Sequence, residues 1–296
     1  MFPHLRYNSF TELLKTKFGE RVHRITLSAG QPCPGHCIFC NDEALLGKSW
    51  HKQQSIKDQI NYGINYITWR HEAHKYIAYF QNGTNTNAPA NILRPMFLDS
   101  IADERIAGLI ISTRPDCLKD DVLDLLTELN ERTYLWIEMG LQSPYNETLK
   151  RINRGHSVED YVAALDRLKK RNILVCSHVI LGLPGETREQ ILSGTTFINN
   201  LPLDGIKIHN LFVTKDTALV REYTEGRFQP MELPEYASLC VDYLERLRPD
   251  LIIHRLNAHA PDRLTVAPKW SVNKLATLNA IHDELEKRDT RQGREH

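Results

Sequence analysis

Short apolar runs of strand length alternate with stretches whose apolar residues recur at helical spacing, and the alternation continues through most of the chain. VHRITLS, residues 22–28, alternates and reads as a first strand. In residues 55–73, Ile56, Ile60, Ile64 and Ile67 recur at helical intervals and predict a helix. KYIAYFQ (75–81) reads as a second strand, residues 90–102 as a helix, and AGLIIST (107–113) as a third strand. DDVLDLLTELN (120–130) is a helix that turns Leu123, Leu126 and Leu129 inward. YLWIEMG (134–140) is a fourth strand. The main helix after it covers 157–171, with Ser157 as N-cap and Asp160 at the capping-box position, where an acid suits the helix dipole. ILVCSHVIL (173–181) gives a fifth strand, TREQILSGTTFINN a helix, and GIKIHNLFV (205–213) a sixth strand. Six βα units in this order predict a parallel sheet with right-handed crossovers, curled into a partial or complete barrel. In such a fold the chemistry belongs at the C-terminal ends of the strands.

Beyond about Thr214 the rhythm stops. Helical patterns appear at ALVREYTEG and PEYASLCVDYLERL, a strand-like run at LIIHRLNA (251–258), and a last helix at 272–286. No linker intervenes, so the expected organisation is a barrel with an N-terminal extension over 1–213 and a packed cap over 214–296. A cap of this kind excludes water from a reactive intermediate. His209, Asn210, Arg255, Asn257, His259, Lys269, Trp270, Asn273 and Lys274 are its candidate substrate contacts; ordinary surface or interdomain pairing is the alternative for each.

The 296 residues suffice for one large α/β barrel or two ordinary domains. Lys and Arg number 37 and so do Asp and Glu, which removes any global pull toward nucleic acid or membrane while leaving local basic faces such as KRINRGH and RLKKR. No apolar stretch approaches the roughly 20 residues that span a bilayer. The opening MFPHLRYNSF lacks the apolar run of a secretory leader, and six cysteines in this length are too few for a disulfide framework, so a reducing, cytoplasmic setting is expected.

Three of those cysteines fall within eight residues. CPGHCIFC places Cys33, Cys37 and Cys40 on the loop leaving the first strand. Three thiolates this close can hold three irons of a 4Fe-4S cube and leave the fourth iron without a protein ligand. A structural zinc site with His36 or His51 as fourth ligand is the alternative reading. Cys176 and Cys240 fall on apolar positions and read as small hydrophobes. Cys117, in RPDC beside the barrel mouth, is either a hydrogen-atom donor or a structural filler, and filler is the preferred reading.

The motif resembles that of the radical S-adenosylmethionine (SAM) enzymes. The resemblance implies a partial (β/α)6 barrel with a C-terminal α+β cap, a 4Fe-4S cluster on Cys33, Cys37 and Cys40, and SAM on the open iron, with Phe39 against its adenine. QNGT, Gln81, Asn82, Gly83 and Thr84, stands where the family often has a Gly-Gly-Glu-like sequence holding SAM's amino group. Arg114, after the third strand, is a candidate partner for a carboxylate. IEMGLQS and INRGH supply Glu138, Gln142 and Arg154. They are similar to the elongator-catalytic-subunit and oxygen-independent coproporphyrinogen oxidase branch, which implies that Gln142 and Arg154 contact SAM's ribose and carboxylate. His178 stands where relatives carry a polar ribose contact, and Gly182 opens the GLPGET turn, whose free N–H groups suit adenine edges or anions.

AYFQNGTNT, STRPDCL, HVILGLPGE, DGIKIHNLFV and APKWSVNK extend the resemblance to the YhcC/YtqA-type subgroup, over roughly residues 20 to 290. It implies reductive cleavage of SAM, hydrogen abstraction from a substrate, and a flavodoxin or ferredoxin as electron donor. The elongator branch points to a tRNA wobble-uridine side chain; a small metabolite is the alternative among enzymes, and a zinc- or cluster-bearing binding or sensor protein the alternative outside them.

Overall fold

A computed structural model describes residues 5–41, 54–259 and 261–296. His51, one of the alternative zinc ligands, lies outside the described residues. Seven parallel strands form one curled sheet in the order β1 (Val22–Leu27), β2 (Lys75–Phe80), β3 (Ile106–Thr113), β4 (Tyr134–Gln142), β5 (Leu174–Leu181), β6 (Gly205–Asn210) and, at the far edge, β8 (Ile252–Arg255). Consecutive strands are neighbours throughout the first six, as a chain of right-handed βα units requires.

The outer face of the sheet is apolar because helices cover it. On β4, Leu135, Ile137, Met139 and Leu141 point outward to the helices Asp120–Arg132 and Val158–Lys169, while Trp136 and Glu138 alternate inward. On β5, Val175, Val179 and Leu181 join the outer core and Cys176 the inner one. The helices begin where side chains can satisfy their first N–H groups. Ser157 and Thr187 each form complete capping boxes, with Asp160 and Gln190 respectively.

Two features differ from the sequence expectation. Helix Phe10–Phe18 lies within the N-terminal extension and closes the bottom of the half-barrel. Its Phe10 and Leu14 are fully buried and join Val22, Ile77, Tyr79, Ile110 and Trp136 in the inner apolar layer. Phe10 stacks on His254 at 3.9 Å and meets Trp136 edge-on at 5.4 Å. The second difference concerns Ile252–Arg255, expected within the cap, which returns to the sheet and pairs in parallel with β6. The roughly 40-residue detour between the two strands hid this relation, because such a connection has no short crossover rhythm.

That detour and the following loop build the roof. The expected sixth strand stops at Asn210, and β7 (Val213–Thr214) pairs antiparallel with β9 (Thr265–Ala267) above the strand ends. Helix Ala218–Thr224 lies against the cysteine loop, the Leu219 N–H donating to Ile38 O at 2.8 Å. Helices Leu233–Arg246 and Lys274–Lys287 pack on each other and extend the outer layer. Among the described residues no helix is long and apolar enough to cross a membrane.

Candidate cofactor site

The C-terminal ends of the strands open on a cleft of about 490 Å³. Cys33, Cys37 and Cys40 line it, Cys37 buried and the other two half-buried. Their loop is held from several sides. Asn87 Nδ2 donates to Pro32 O at 2.9 Å, Asn41 Nδ2 to Lys215 O at 2.7 Å, and Cys40 N–H to Cys37 O at 2.9 Å.

The cleft also collects Phe39, Gln81, Asn82, Gly83, Thr84, Arg114, Glu138, Gln142, Arg154 and His178. Gly182 is not part of its lining; it adopts φ 87° against Met231, whose Cε a Cβ would approach to 3.2 Å. Gly83, at φ 76°, lets the loop after β2 turn back toward the cysteines. Gln142 adopts φ 74° at the bulge that ends β4. A non-glycine residue held there is strained backbone at the mouth of a site. Gly140, two residues earlier, leaves the space that Gln142 and Arg154 fill, since a Cβ there would come within 2.5 Å of Gln142 Nε2 and 2.6 Å of Arg154 Nη2.

Below the mouth lies a buried ionic layer that sequence reading did not assemble. Glu138 Oε2 accepts from Lys207 Nζ at 2.8 Å, from Ser112 Oγ at 3.2 Å and from the Tyr79 hydroxyl, and His254 Nδ1 lies 3.2 Å from Oε1. Lys207 also donates to Tyr79 at 2.6 Å. Burial by itself would raise the Glu138 carboxyl, but Lys207 and His254 outweigh it and hold the group well below the usual range. Glu138, Cys176 and His254 offer ligand atoms within 4.8 Å of one another, and the Lys207 ammonium already neutralises the carboxylate of that group. A lysine in the middle of the apolar strand GIKIHN was the one signal of this layer in the sequence.

Arg114, 3% exposed, pairs with Asp116 through Nε (2.9 Å) and Nη2 (3.0 Å) and keeps Nη1 unpartnered among the described residues. Arg154 is buried beside it. His156 receives the Arg154 Nε–H at 2.8 Å, and its Nδ1 faces Ser157 O at 3.0 Å. Burial and the neighbouring Arg154 push His156 down to about 4, so it is neutral and free to accept that proton. His178 and His209 also line the cleft, edge-to-face at 4.0 Å, both held well below the ordinary imidazole value, first by burial. The two arginines, the Lys207–Glu138 pair and the two histidines thus all line one cleft.

Of the nine candidate substrate contacts, His209 and Asn210 line the cleft. Asn273 caps the last helix by accepting from the Ala276 N–H at 3.0 Å, Trp270 Nε1 donates to Met231 O at 3.0 Å, Lys269 Nζ to Thr265 O at 2.8 Å and Asn257 Nδ2 to Lys274 O at 3.4 Å. Arg255, His259 and Lys274 are likewise not part of the lining. Cys117 is buried behind the mouth with its thiol pushed up to about 11, chiefly by burial, and is not part of the lining either.

The donor set fits an iron–sulfur cluster with a polar ligand beside it. Three soft thiols share the cleft with Thr84 Oγ1, Arg114 Nη1, Gln142 Oε1, His178 Nε2, His209 Nε2, Asn210 Nδ2 and Thr214 Oγ1, all buried and without a hydrogen-bond partner among the described residues. A ligand or ordered water in that space would give such atoms the partners that buried polar groups normally have.

This chain belongs to the radical SAM superfamily, whose profile matches residues 27–193, and the Radical_SAM C-terminal domain matches residues 203–287. It is therefore a radical SAM enzyme, of a superfamily that uses a 4Fe-4S cluster and SAM and needs a reductant. It is 39% identical to the uncharacterized protein YtqA of Bacillus subtilis, over 98% of this chain and 92% of YtqA, and 35% identical to YhcC of Escherichia coli K12, over 90% and 88%. A shorter match, 30% identity over 51% of this chain and 28% of the relative, is to a tRNA uridine(34) acetyltransferase of Methanocaldococcus infernus. The fold is similar to that of the Elp3 structure from the same archaeon, with TM-score 0.73 at 21% identity; the match covers 92% of this chain and 64% of that one.

Proposed function

We propose that Cys33, Cys37 and Cys40 hold the cluster, that SAM is bound beside Arg114 and Arg154, and that hydrogen is abstracted from the side chain of a tRNA wobble uridine. When bound, the cluster would supply the electron for reductive cleavage of SAM. The observation that carries the reading is the convergence of the cysteine loop and the unpartnered polar atoms of the strand ends on one cleft.

The chain's own residues bind, orient and exclude. Arg114 and Arg154 offer N–H groups to SAM's carboxylate, a pairing that burial strengthens. Gln142 and His178 offer polar atoms to the ribose, Phe39 a ring to the adenine, and Gln81, Asn82, Gly83 and Thr84 a turn to the amino group. His209 and Asn210 are left for the substrate. The roof of β7, β9 and helix Ala218–Thr224 keeps water from the reacting carbon. The uridine reading is supported by the name of the acetyltransferase relative, and a small metabolite by the balance of 37 basic and 37 acidic residues. A cytoplasmic flavodoxin or ferredoxin would deliver the electron.

Protein reconstituted without oxygen is expected to bind about four irons per chain and to release 5'-deoxyadenosine with dithionite and SAM. Cys37→Ala is expected to release none; release at the wild-type rate would exclude the assigned cluster. Nucleoside mass spectrometry of tRNA from cells with and without the gene decides the substrate. A uridine product found only in the former supports the tRNA reading; unchanged tRNA with an altered metabolite pool selects the metabolite.

A further inference from the structure

Three consecutive residues after helix Asn146–Arg151 are bonded to three consecutive residues of the cysteine loop. Ile152 O accepts from the Ile38 N–H at 3.1 Å, Asn153 Nδ2 donates to His36 O at 2.8 Å, and Arg154 Nη1 donates to Cys37 Sγ at 3.8 Å. The segment making these contacts is itself fixed. Asn153 adopts φ 54° and Gly155 φ 81°, conformations that asparagine and glycine accept most readily. The Asn153 N–H reaches Lys150 O at 3.1 Å and the Arg154 N–H reaches Leu149 O at 2.9 Å.

Arg154 is clamped at every nitrogen. Nε donates to His156 Nε2 at 2.8 Å and Nη2 to Gly140 O at 2.9 Å, so the plane of the guanidinium is set before any ligand binds. Of its five N–H groups these contacts and Cys37 use three, and two remain for SAM. Arg114 presses on the loop from another side; a Cβ on Gly35 would come within 2.2 Å of its Nη1.

We propose that residues 152–154 are a clamp that shapes the cysteine loop before the cluster is inserted, and that Arg154, through Cys37 Sγ, raises the cluster's reduction potential. The proposal rests on the cluster's being held by Cys33, Cys37 and Cys40. Reduction adds one negative charge to the cluster. A buried cation that also donates a hydrogen bond to a ligating sulfur stabilises the more negative state, so reduction becomes easier. Asn153 and Arg154 act here as positioning residues, whatever Arg154 also contributes to SAM.

The test is an EPR-monitored redox titration of reconstituted protein without SAM, joined to amide exchange of the cluster-free protein. Arg154→Gln is expected to disfavour reduction about tenfold, a fall of about 59 mV for one electron, and Arg154→Lys, which keeps the charge, to recover part of it. Asn153→Ala is expected to speed exchange at residues 36–38 at least tenfold without the cluster and to shorten iron retention against a chelator. An unchanged SAM-free potential in Arg154→Gln would overturn the electrostatic half, because a residue serving SAM alone would give that result. Unchanged exchange in Asn153→Ala would overturn the clamp. Should Arg154→Gln retain no iron, the exchange measurement decides the clamp, and the SAM-free potential of Arg154→Lys, expected below that of the wild type and overturning the electrostatic half if unchanged, decides the rest. Wild-type protein that binds no iron but shows the exchange difference would reject the cluster assignment and leave the clamp standing.

Discussion

Glu138 faces the cleft, yet its oxygens are already engaged by Lys207, Tyr79, Ser112 and His254. Its duty is to fix the cation and rings beneath the ligand space. Glu138→Gln removes the counter-charge of a Lys207 whose side chain is almost wholly buried, and is expected to destabilise the protein by about 3–5 kcal/mol in urea unfolding. The same layer sets an acid limit. His254 is fully buried, and burial holds it down to about 4 from the ordinary 6.5 despite Glu138. Between those values the unfolded chain binds a proton that the folded chain does not, so stability falls as pH falls through that window. The loss from this group is about 3 kcal/mol, at 1.36 kcal/mol per unit. Glu138, whose carboxyl is depressed, adds its own loss only once pH falls below the ordinary carboxylate value. Thermal midpoints that stay level from pH 7 to pH 4 would contradict the His254 assignment. Individual strand-end residues were legible from motif position, but the Lys207–Glu138–His254 contact was not, because it joins residues from three separate strands.

At the scale of elements, capping chemistry and periodicity placed the barrel helices and strands to within a few residues. Ser157 and Asp160 mark the start of Val158–Lys169, as the sequence suggests. Helix Phe10–Phe18 escaped that reading, because its inward side chains meet the barrel floor rather than the outer sheet face from which βα units are recognised. Phe10→Ala would open a cavity between His254 and Trp136 and is expected to cost about 3–5 kcal/mol, read as a lowered urea midpoint. Strand Ile252–Arg255 lies in the stretch expected to form the cap and yet joins the main sheet. Four residues carry too little pattern to reveal that β6 is their partner.

Across the whole molecule, the two ends of the chain stabilise one sheet. The Ile253 N–H donates to Asn8 O at 2.7 Å, Gln292 Nε2 donates to Leu251 O at 2.8 Å, and the Asn8 N–H donates to Gln292 Oε1 at 2.9 Å. A chain cut after residue 213 would lose the seventh strand and the roof together. The full chain is therefore expected to unfold in one transition by calorimetry and fluorescence alike; two separated transitions would show an independent cap. The linear order of residues determined the alternation of strands and helices, the cysteine spacing and the placing of chemistry at strand ends, since each follows from side-chain periodicity and local turns. Only the folded arrangement decided which polar atoms share the cleft, how the loop at residues 36–38 meets residues 152–154, and that the last strand closes the sheet. Those contacts join residues far apart in sequence, and their geometry exists only once the sheet has curled.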